Sequence, residues 1–322
     1  MKAVRPKQPG GPEVLQLEEF QTPTPSSNQL LVRTEAIGVN FIDVYTRSGQ
    51  YQAPRPILVG VEAAGVVEAV GDGVTELKPG ARVAWSGNPG SYATHVLVAA
   101  ERAIPVPDGV DSKLAAALML QGLTAHYLTH STFPLQPGQT ALLHAAAGGV
   151  GLLLVQIAKR KGAHVIGTVG SPQKAELAKQ AGADATILYE QQDFEAESCQ
   201  LTAGRGVDVV YDSVGKTTFE KSLRSLRPRG MLVLFGQSSG AVAPVDPQTL
   251  AAKGSLFLTR PTLGHYTASR DELLSRASDL FTWLEAGELK VRIDRTFPLS
   301  EAAAAHRALE SRATSGKLLL IP

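Results

Sequence analysis

The stretch LLHAAAGGVGLLLVQIAK, residues 142–159, decides how this chain folds. The dinucleotide-binding fingerprint G-x-G-x-x-G falls on Ala146, Ala147, Gly148, Gly149, Val150 and Gly151, with alanine in the place of the first glycine. The three glycines of such a turn have separate tasks: tightening the turn, letting backbone approach a pyrophosphate, and packing helix on strand. Gly148 and Gly151 keep the second and third tasks, and a slightly wider turn tolerates alanine at 146. The context is also the required one, with strand-like TALLHA before the turn and helical GVGLLLVQIAKRKG after it. Because the helix starts at the glycines, its free N–H groups and positive dipole end face whatever the turn holds.

Further along the chain, TALLHA, AHVIGTV, DATILY, VDVVYDSVG, GMLVLFG and SLFLTRP read as six strands, with amphipathic helices between most of them. That alternation predicts a doubly wound parallel sheet, a Rossmann-type α/β fold. The first third differs: LLVRTEAIGV (30–39), AAGVVEAVG (63–71) and ARVAW (81–85) are short β runs separated by GDG and KPG turns. From about Leu114 the texture turns helical, LAAALMLQGLTAHYLTH. The tail has a long helical segment, SRDELLSRASDLFTWLEAG, then KVRIDRTFPLS, a second helix and the short strand GKLLLIP. The expected organisation is a β-rich domain over 1–122, a nucleotide-binding domain over 123–265, and a segment over 266–322 returning to the first.

The strand after the turn chooses the cofactor. An NAD-binding protein places an acid there, about 20 residues beyond the first glycine, for the ribose 2′-hydroxyl. Here the strand end reads IGTVGSPQKAE, with no acid before Glu176. Gly170 ends the strand, and Ser171 and Lys174 stand where a 2′-phosphate would sit. A hydroxyl and an ammonium suit that dianion, and the missing carboxylate removes a repulsion. This points to NADPH rather than NADH, against the blander alternative that Lys174 is a solvated residue in a helix's first turn.

Composition limits what else the chain does. With 322 residues it suits two domains, and its 43% apolar and 19% charged content is that of a globular protein. A net charge of +1 and 6% aromatics give no basic, aromatic-studded face for nucleic acid. No apolar run is long enough to span a bilayer, no signal-peptide pattern opens the chain, and Cys199 is the single cysteine. These features predict a cytoplasmic protein without disulfides.

Taken in order, GGPEVL (10–15), AIGVNFIDVYTRSGQY (36–51), GVEAAGVVEAVG (60–71), QGLTAHYL (121–128), HAAAGGVG (144–151), VVYDSVG (209–215), FGQSSG (235–240) and LTRP (258–261) resemble the ζ-crystallin-like quinone oxidoreductase branch of the medium-chain dehydrogenase/reductase superfamily. The AAAGGVG variant of the turn is usual there. The resemblance implies a GroES-like catalytic domain joined to a Rossmann domain. Zinc alcohol dehydrogenases of the same superfamily carry an early cysteine ligand, a GHE histidine and a four-cysteine lobe. This chain has Asn40 and Val61 at the first two places and lacks the lobe. Catalytic zinc takes three Cys, His or carboxylate ligands, so no metal site is expected. His126 and His130 have helical i,i+4 spacing, but Tyr127 stands where H-E-x-x-H needs glutamate.

The resemblance further implies that Asn40, Asp43 and Tyr45 lie near the nicotinamide, Tyr51 near the substrate, and Arg260 of LTRP opposite as a cation. Tyr51, Asn40 and Arg260 are the candidate catalytic residues. A hydride added to a quinone leaves developing charge on oxygen, which Tyr51 or Arg260 would stabilise. Gly122 and Thr124, Tyr189, Ser213, Phe235, Gly236 and Ser238, and Lys317 match cofactor-contacting positions of the family; apart from Gly122, Thr124 and Lys317 they sit at carboxyl ends of strands. The expected reaction is hydride or electron delivery from NADPH to a quinone without metal, with enone reduction as the alternative. An NADPH-binding structural or RNA-binding protein is the alternative of another class. The resemblance also implies a homodimer formed along SLFLT.

Overall fold

The computed structural model describes residues 1–322 as two units, one formed by Met1–Leu123 with Thr267–Pro322 and the other by Thr124–Tyr266. The chain opens with β1 (Lys2–Val4), β2 (Leu17–Glu19) and the long β3 (Gln29–Val39). Helix α1 (Phe41–Ser48) follows, then β4 (Glu62–Val70), β5 (Arg82–Ser86), β6 (His95–Ala99) and β7 (Ile104–Pro105). Helix α2 (Ser112–Tyr127) leads into β8 (Thr140–Leu143), α3 (Gly149–Arg160), β9 (His164–Val169), α4 (Pro172–Gln180) and β10 (Ala185–Leu188). After these come α5 (Phe194–Leu201), β11 (Val207–Asp212), α6 (Phe219–Arg224), β12 (Leu226–Leu234), α7 (Pro247–Ala252) and β13 (Phe257–Thr259). The chain then adds α8 (Arg270–Glu285), β14 (Ile293–Pro298), α9 (Ala302–Glu310) and β15 (Lys317–Ile321).

In the unit spanning 124–266 the six strands read from the sequence form one sheet, in the order β10-β9-β8-β11-β12-β13 and parallel throughout. The order reverses between β8 and β11, which opens a crevice beyond their carboxyl ends where ligands of such sheets bind. Its strands are nearly continuous apolar runs because helices cover both faces, and Leu142, Ile166, Val210 and Leu232 are fully buried. Ser171, Asp193 and Asp246 cap α4, α5 and α7 by accepting a backbone N–H.

The other unit holds a sheet of order β14-β15-β3-β4-β5-β7, with β6 also paired to β3. Its β15, from the end of the sequence, lies antiparallel to β3 and parallel to β14, and it supplies buried Leu318 and Leu320 to a core that includes Leu30, Val32, Val67 and Trp85. No helix is long and apolar enough to cross a membrane.

Candidate active site

The nucleotide turn follows β8. The residue in the left-handed conformation is Ala145, at φ 54°, so Ala146 takes an ordinary conformation and needs no glycine. Holding alanine there costs about 1 kcal/mol. Gly148 is the N-cap of α3 and has no side chain to satisfy the first-turn N–H groups, leaving those of Gly149, Val150 and Gly151 available to an anion. Gly151 is fixed by packing, because a Cβ there would lie 2.2 Å from the carbonyl oxygen of Ala145.

Beneath the turn, four elements meet in a buried polar cluster that the sequence did not reveal. Asp212 accepts from the N–H groups of Val214 and Gly215 and from the hydroxyls of Thr218 and Ser222, at 2.7 to 3.2 Å. Since Ser222 donates to Asp212, it accepts from Nε2 of His144, leaving Nδ1 to accept from the Thr168 hydroxyl. Burial pushes His144 down from its ordinary range, so the ring is neutral and both contacts are directional. The cluster ties β8, β9, β11 and α6 together where the turn emerges.

At the end of β9, Val169, Gly170 and Ser171 leave no carboxylate, and the Ser171 hydroxyl accepts from the Lys174 N–H at 3.3 Å. Tyr189 follows β10, and a Cβ on Gly170 would meet its hydroxyl at 2.7 Å. A Cβ on Gly236 would meet the Ser213 carbonyl at 2.6 Å, and that carbonyl accepts from the Ser238 N–H. Phe235 donates its N–H to the backbone carbonyl of Asp212. Arg260 follows β13, and Thr124 is buried near the end of α2. A helix terminus without a side-chain cap, a glycine-lined crevice and a strand end free of acid fit a dinucleotide phosphate. When bound, it would be held by Gly148, Gly149 and Val150, with Ser171 and Lys174 at the 2′ end.

The other unit gathers Asn40, Asp43, Tyr45, Tyr51 and Lys317 around α1 and the strands beside it. Asn40 is the N-cap of α1, and its backbone N–H donates to Asp43 Oδ2 at 2.9 Å. The Asn40 amide is oriented by its neighbours: Nδ2 donates to Glu62 at 2.8 Å, while Oδ1 accepts from Lys317 Nζ at 2.8 Å and from Gln121 at 3.4 Å. Lys317 also forms an ion pair with Glu62, and the two are 1% and 0% exposed. The N–H of Leu120 completes the carboxylate's donors. Sequence reasoning missed this pair, although a charged residue at the edge of an apolar strand (GVEAAGVV and GKLLLIP) is a signal for it.

A second chain of contacts runs through Asp43. Arg47 bonds Glu310 twice, at 2.8 and 2.9 Å, and approaches His306 Nδ1 at 3.4 Å. Because arginine only donates, His306 carries its proton on Nε2 and gives it to Tyr92, whose hydroxyl donates to Asp43 at 3.1 Å. Burial, opposed by the Asn40 N–H, Lys317 and Tyr92, pushes Asp43 up to about 7. Burial and the nearby Arg47 push His306 down to about 3.

These two shifts oppose each other in the stability of the fold. Asp43 contributes stability that is present below its ordinary 3.8 and lost as pH rises toward 7. His306 contributes stability present above its ordinary 6.5 and lost as pH falls toward 3. Between roughly pH 4 and 6.5 the two slopes cancel. Asp43→Asn removes one of them, and the variant should lose stability on acidification faster than wild type, by up to about 1.4 kcal/mol per pH unit. Urea melts across that range check this, and parallel curves for the two proteins would contradict it.

Gly122 lies within α2, where a Cβ would meet Leu118 at 2.7 Å and Leu280 at 3.0 Å, so helix packing alone accounts for its glycine. His126 and His130 stack, with centroids 4.1 Å apart. No group of three His, Cys, Asp or Glu residues converges on a common point.

A six-stranded parallel unit and a β-rich unit completed by the C-terminal segment, in one chain, define a medium-chain dehydrogenase/reductase. Family models agree, with the alcohol dehydrogenase GroES-like domain matching residues 26–108 and the zinc-binding dehydrogenase model matching residues 149–278. A quinone oxidoreductase of Pseudomonas aeruginosa is 48% identical over 97% of both chains. A 2-haloacrylate reductase of a Burkholderia species is 46% identical over 97% of this chain and 96% of its own. The crystal structure of Escherichia coli quinone oxidoreductase complexed with NADPH superposes over 100% of both chains, with a TM-score of 0.98 and 44% identity. The chain belongs to the quinone oxidoreductase family. The zinc in one model's description does not fit the donors here: Asn40 and Val61 are not zinc ligands, and the lone pairs of Glu62 are taken by an ammonium and two N–H groups.

Proposed function

We infer that this protein is an NADPH-dependent quinone reductase that works without zinc. The observation that carries the reading is the uncapped start of α3 at the sheet's crevice, combined with a β9 end that offers Ser171 and Lys174 instead of an acid. NADPH, when bound, supplies the hydride. The residues Thr124–Tyr266 act as the cofactor-binding unit, with Gly148, Gly149 and Val150 on the pyrophosphate and Ser171, Lys174 and Tyr189 at the adenosine end. In the other unit, Asn40 presents an amide whose orientation Glu62 and Lys317 fix, and Tyr51 offers a hydroxyl to the acceptor's oxygen as charge develops there. A positioned, water-poor site suffices for an acceptor that is already electrophilic. Enone reduction is the second reading, favoured by the similarity to the haloacrylate reductase.

The test follows oxidation of NADPH and NADH, in parallel, with 1,4-naphthoquinone and metal-free protein. Turnover should be strong with NADPH and weak with NADH. Lys174→Ala should raise KM for NADPH about tenfold and leave NADH nearly unchanged, since one charge-assisted contact is lost. Equal use of both cofactors would overturn the cofactor assignment, and NADPH binding without quinone turnover would overturn the acceptor class.

We further propose a homodimer in the cytoplasm. Strand β13 is an open edge of its sheet, and Phe257 on it is 56% exposed, an arrangement that invites pairing with a second copy. Sedimentation should give a dimer that Phe257→Asp weakens; a monomer at micromolar concentration would contradict it. An exposed, unpaired Cys199 suits a reducing compartment, and recovery of the native protein outside the cytoplasm on cell fractionation would contradict that placement.

A further inference from the structure

Beside Tyr51 lies a cavity of about 300 Å³ lined by Pro9, Thr46, Gly49, Tyr51, Gln52, Ala53, Arg55 and Ile57. That volume is within the range of small-molecule sites. It shares α1 with the polar site, through Thr46: Asn40 and Asp43 are at the start of that helix, Tyr45 is on its next turn, and the ring of Tyr51, which lines the cavity, packs 5.1 Å from that of Tyr45. The Tyr51 N–H donates to the Tyr45 carbonyl, which fixes the start of the 51–57 segment against the helix.

The chemistry of the lining is one-sided. It contains one full positive charge, on Arg55, and no acid. Thr46, Tyr51 and Gln52 add side chains that can donate hydrogen bonds, while Pro9, Ala53 and Ile57 supply apolar wall. Arg55 gives one Nη1–H to the carbonyl of Lys7 at 2.8 Å, and no carboxylate pairs with it. That single bond braces the side chain and leaves a fork of further donors. Arg47, on the neighbouring helix, shows the contrast, since its guanidinium is committed to Glu310.

We propose that this cavity binds the acidic substituent of the electron acceptor, and that Arg55 makes the enzyme select acceptors carrying a carboxylate or sulfonate. The planar guanidinium fork matches the oxygen spacing of either group and holds it bidentately. The apolar wall accommodates the ring or alkene that carries the group. The assignment to acceptors rests on the reductase reading above, whereas anion binding in the cavity does not.

The experiment separates the two. Steady-state NADPH oxidation is measured with 1,4-naphthoquinone and with 1,4-naphthoquinone-2-sulfonate, for wild type, Arg55→Met and Arg55→Lys. In parallel, calorimetry follows binding of naphthalene-2-sulfonate, an anion that cannot be reduced, to wild type and Arg55→Met. We expect Arg55→Met to lower kcat/KM for the sulfonated quinone about tenfold, through KM, and to change the neutral quinone less than twofold. Arg55→Lys should recover part of the loss, and raised salt should erase the difference between wild type and Arg55→Met. Equal effects on both quinones, or none, overturn the selectivity. If neither quinone turns over, the reductase reading fails. The calorimetry then decides the cavity alone: weaker binding to Arg55→Met supports the anion site, and unchanged binding rejects it.

Discussion

Lys317→Met should destabilise the protein by about 3–5 kcal/mol, the range for breaking a buried ion pair from one side. The methionine fills the space of the lysine stem, so the loss comes from charge rather than from a cavity. Glu62, 0% exposed, keeps the Asn40 amide and the Leu120 N–H but loses its only cation. A carboxylate in that position either takes up a proton or remains uncompensated, and both outcomes raise the energy of the folded state. The double variant Lys317→Met/Glu62→Gln removes the stranded charge and should recover more than half of the loss, because a buried pair and its neutral replacement differ little. Denaturant melts of the three proteins measure this coupling. A single variant within about 1 kcal/mol of wild type would show that the pair carries little of the fold. The Asn40 Oδ1 would also lose the shorter of its two hydrogen bonds, keeping only the one from Gln121 at 3.4 Å, so NADPH turnover should fall even where the variant remains folded.

Gly151→Val should have an effect of similar size in the nucleotide-binding unit. Its Cβ would be 2.2 Å from the Ala145 oxygen and 2.8 Å from the backbone carbon and oxygen of Ala146. Those atoms belong to the turn itself, and Ala145 is already in the left-handed region, so the turn has no easier conformation to move into. Helix α3 must therefore shift, taking the N–H groups of its first turn with it. We expect a loss of about 3 kcal/mol in stability, the upper end of the usual cost of overpacking, and a drop in NADPH affinity of about tenfold. Gly148→Ala is the internal comparison. A Cβ there meets the same oxygen at 3.1 Å, and φ is −74°, so the backbone accepts alanine and stability should change far less. Thermal melts and fluorescence titration with NADPH separate the two variants, and equal behaviour would refute the packing argument.

The contrast between these two sites explains what the sequence could and could not reveal. The Rossmann sheet was legible because each of its strands is a local apolar run between turn residues, and Gly151 was legible because its constraint comes from residues 145 and 146. The missing acid at 169–171 is likewise a local fact. Glu62 and Lys317 are 255 positions apart, and Asp43, Tyr92 and His306 come from three segments joined only by the folded sheet. No local pattern encodes such partners, so reading Asn40 as a site residue did not reveal what orients it. Alanine at 146 is tolerated as its sequence context suggested, while the residue that does take the left-handed conformation, Ala145, is one the fingerprint does not mark.

The position of β15 between β14 and β3 has a consequence for synthesis on the ribosome. The chain emerges from its N-terminus, so β3 and β4 are exposed to the cell long before residues 317–321 have been made. During that interval one edge of β3 lacks the neighbour it will have at Ile37–Val39, and Glu62 lacks its cation. The stretch 124–266, whose sheet contacts all lie within itself, can settle first while the earlier segment waits. The vulnerable species in the cell is thus a nascent chain with a finished nucleotide-binding unit and an unfinished sheet. Chaperone demand on this sheet should persist at least until β15 leaves the exit tunnel and pairs with β3.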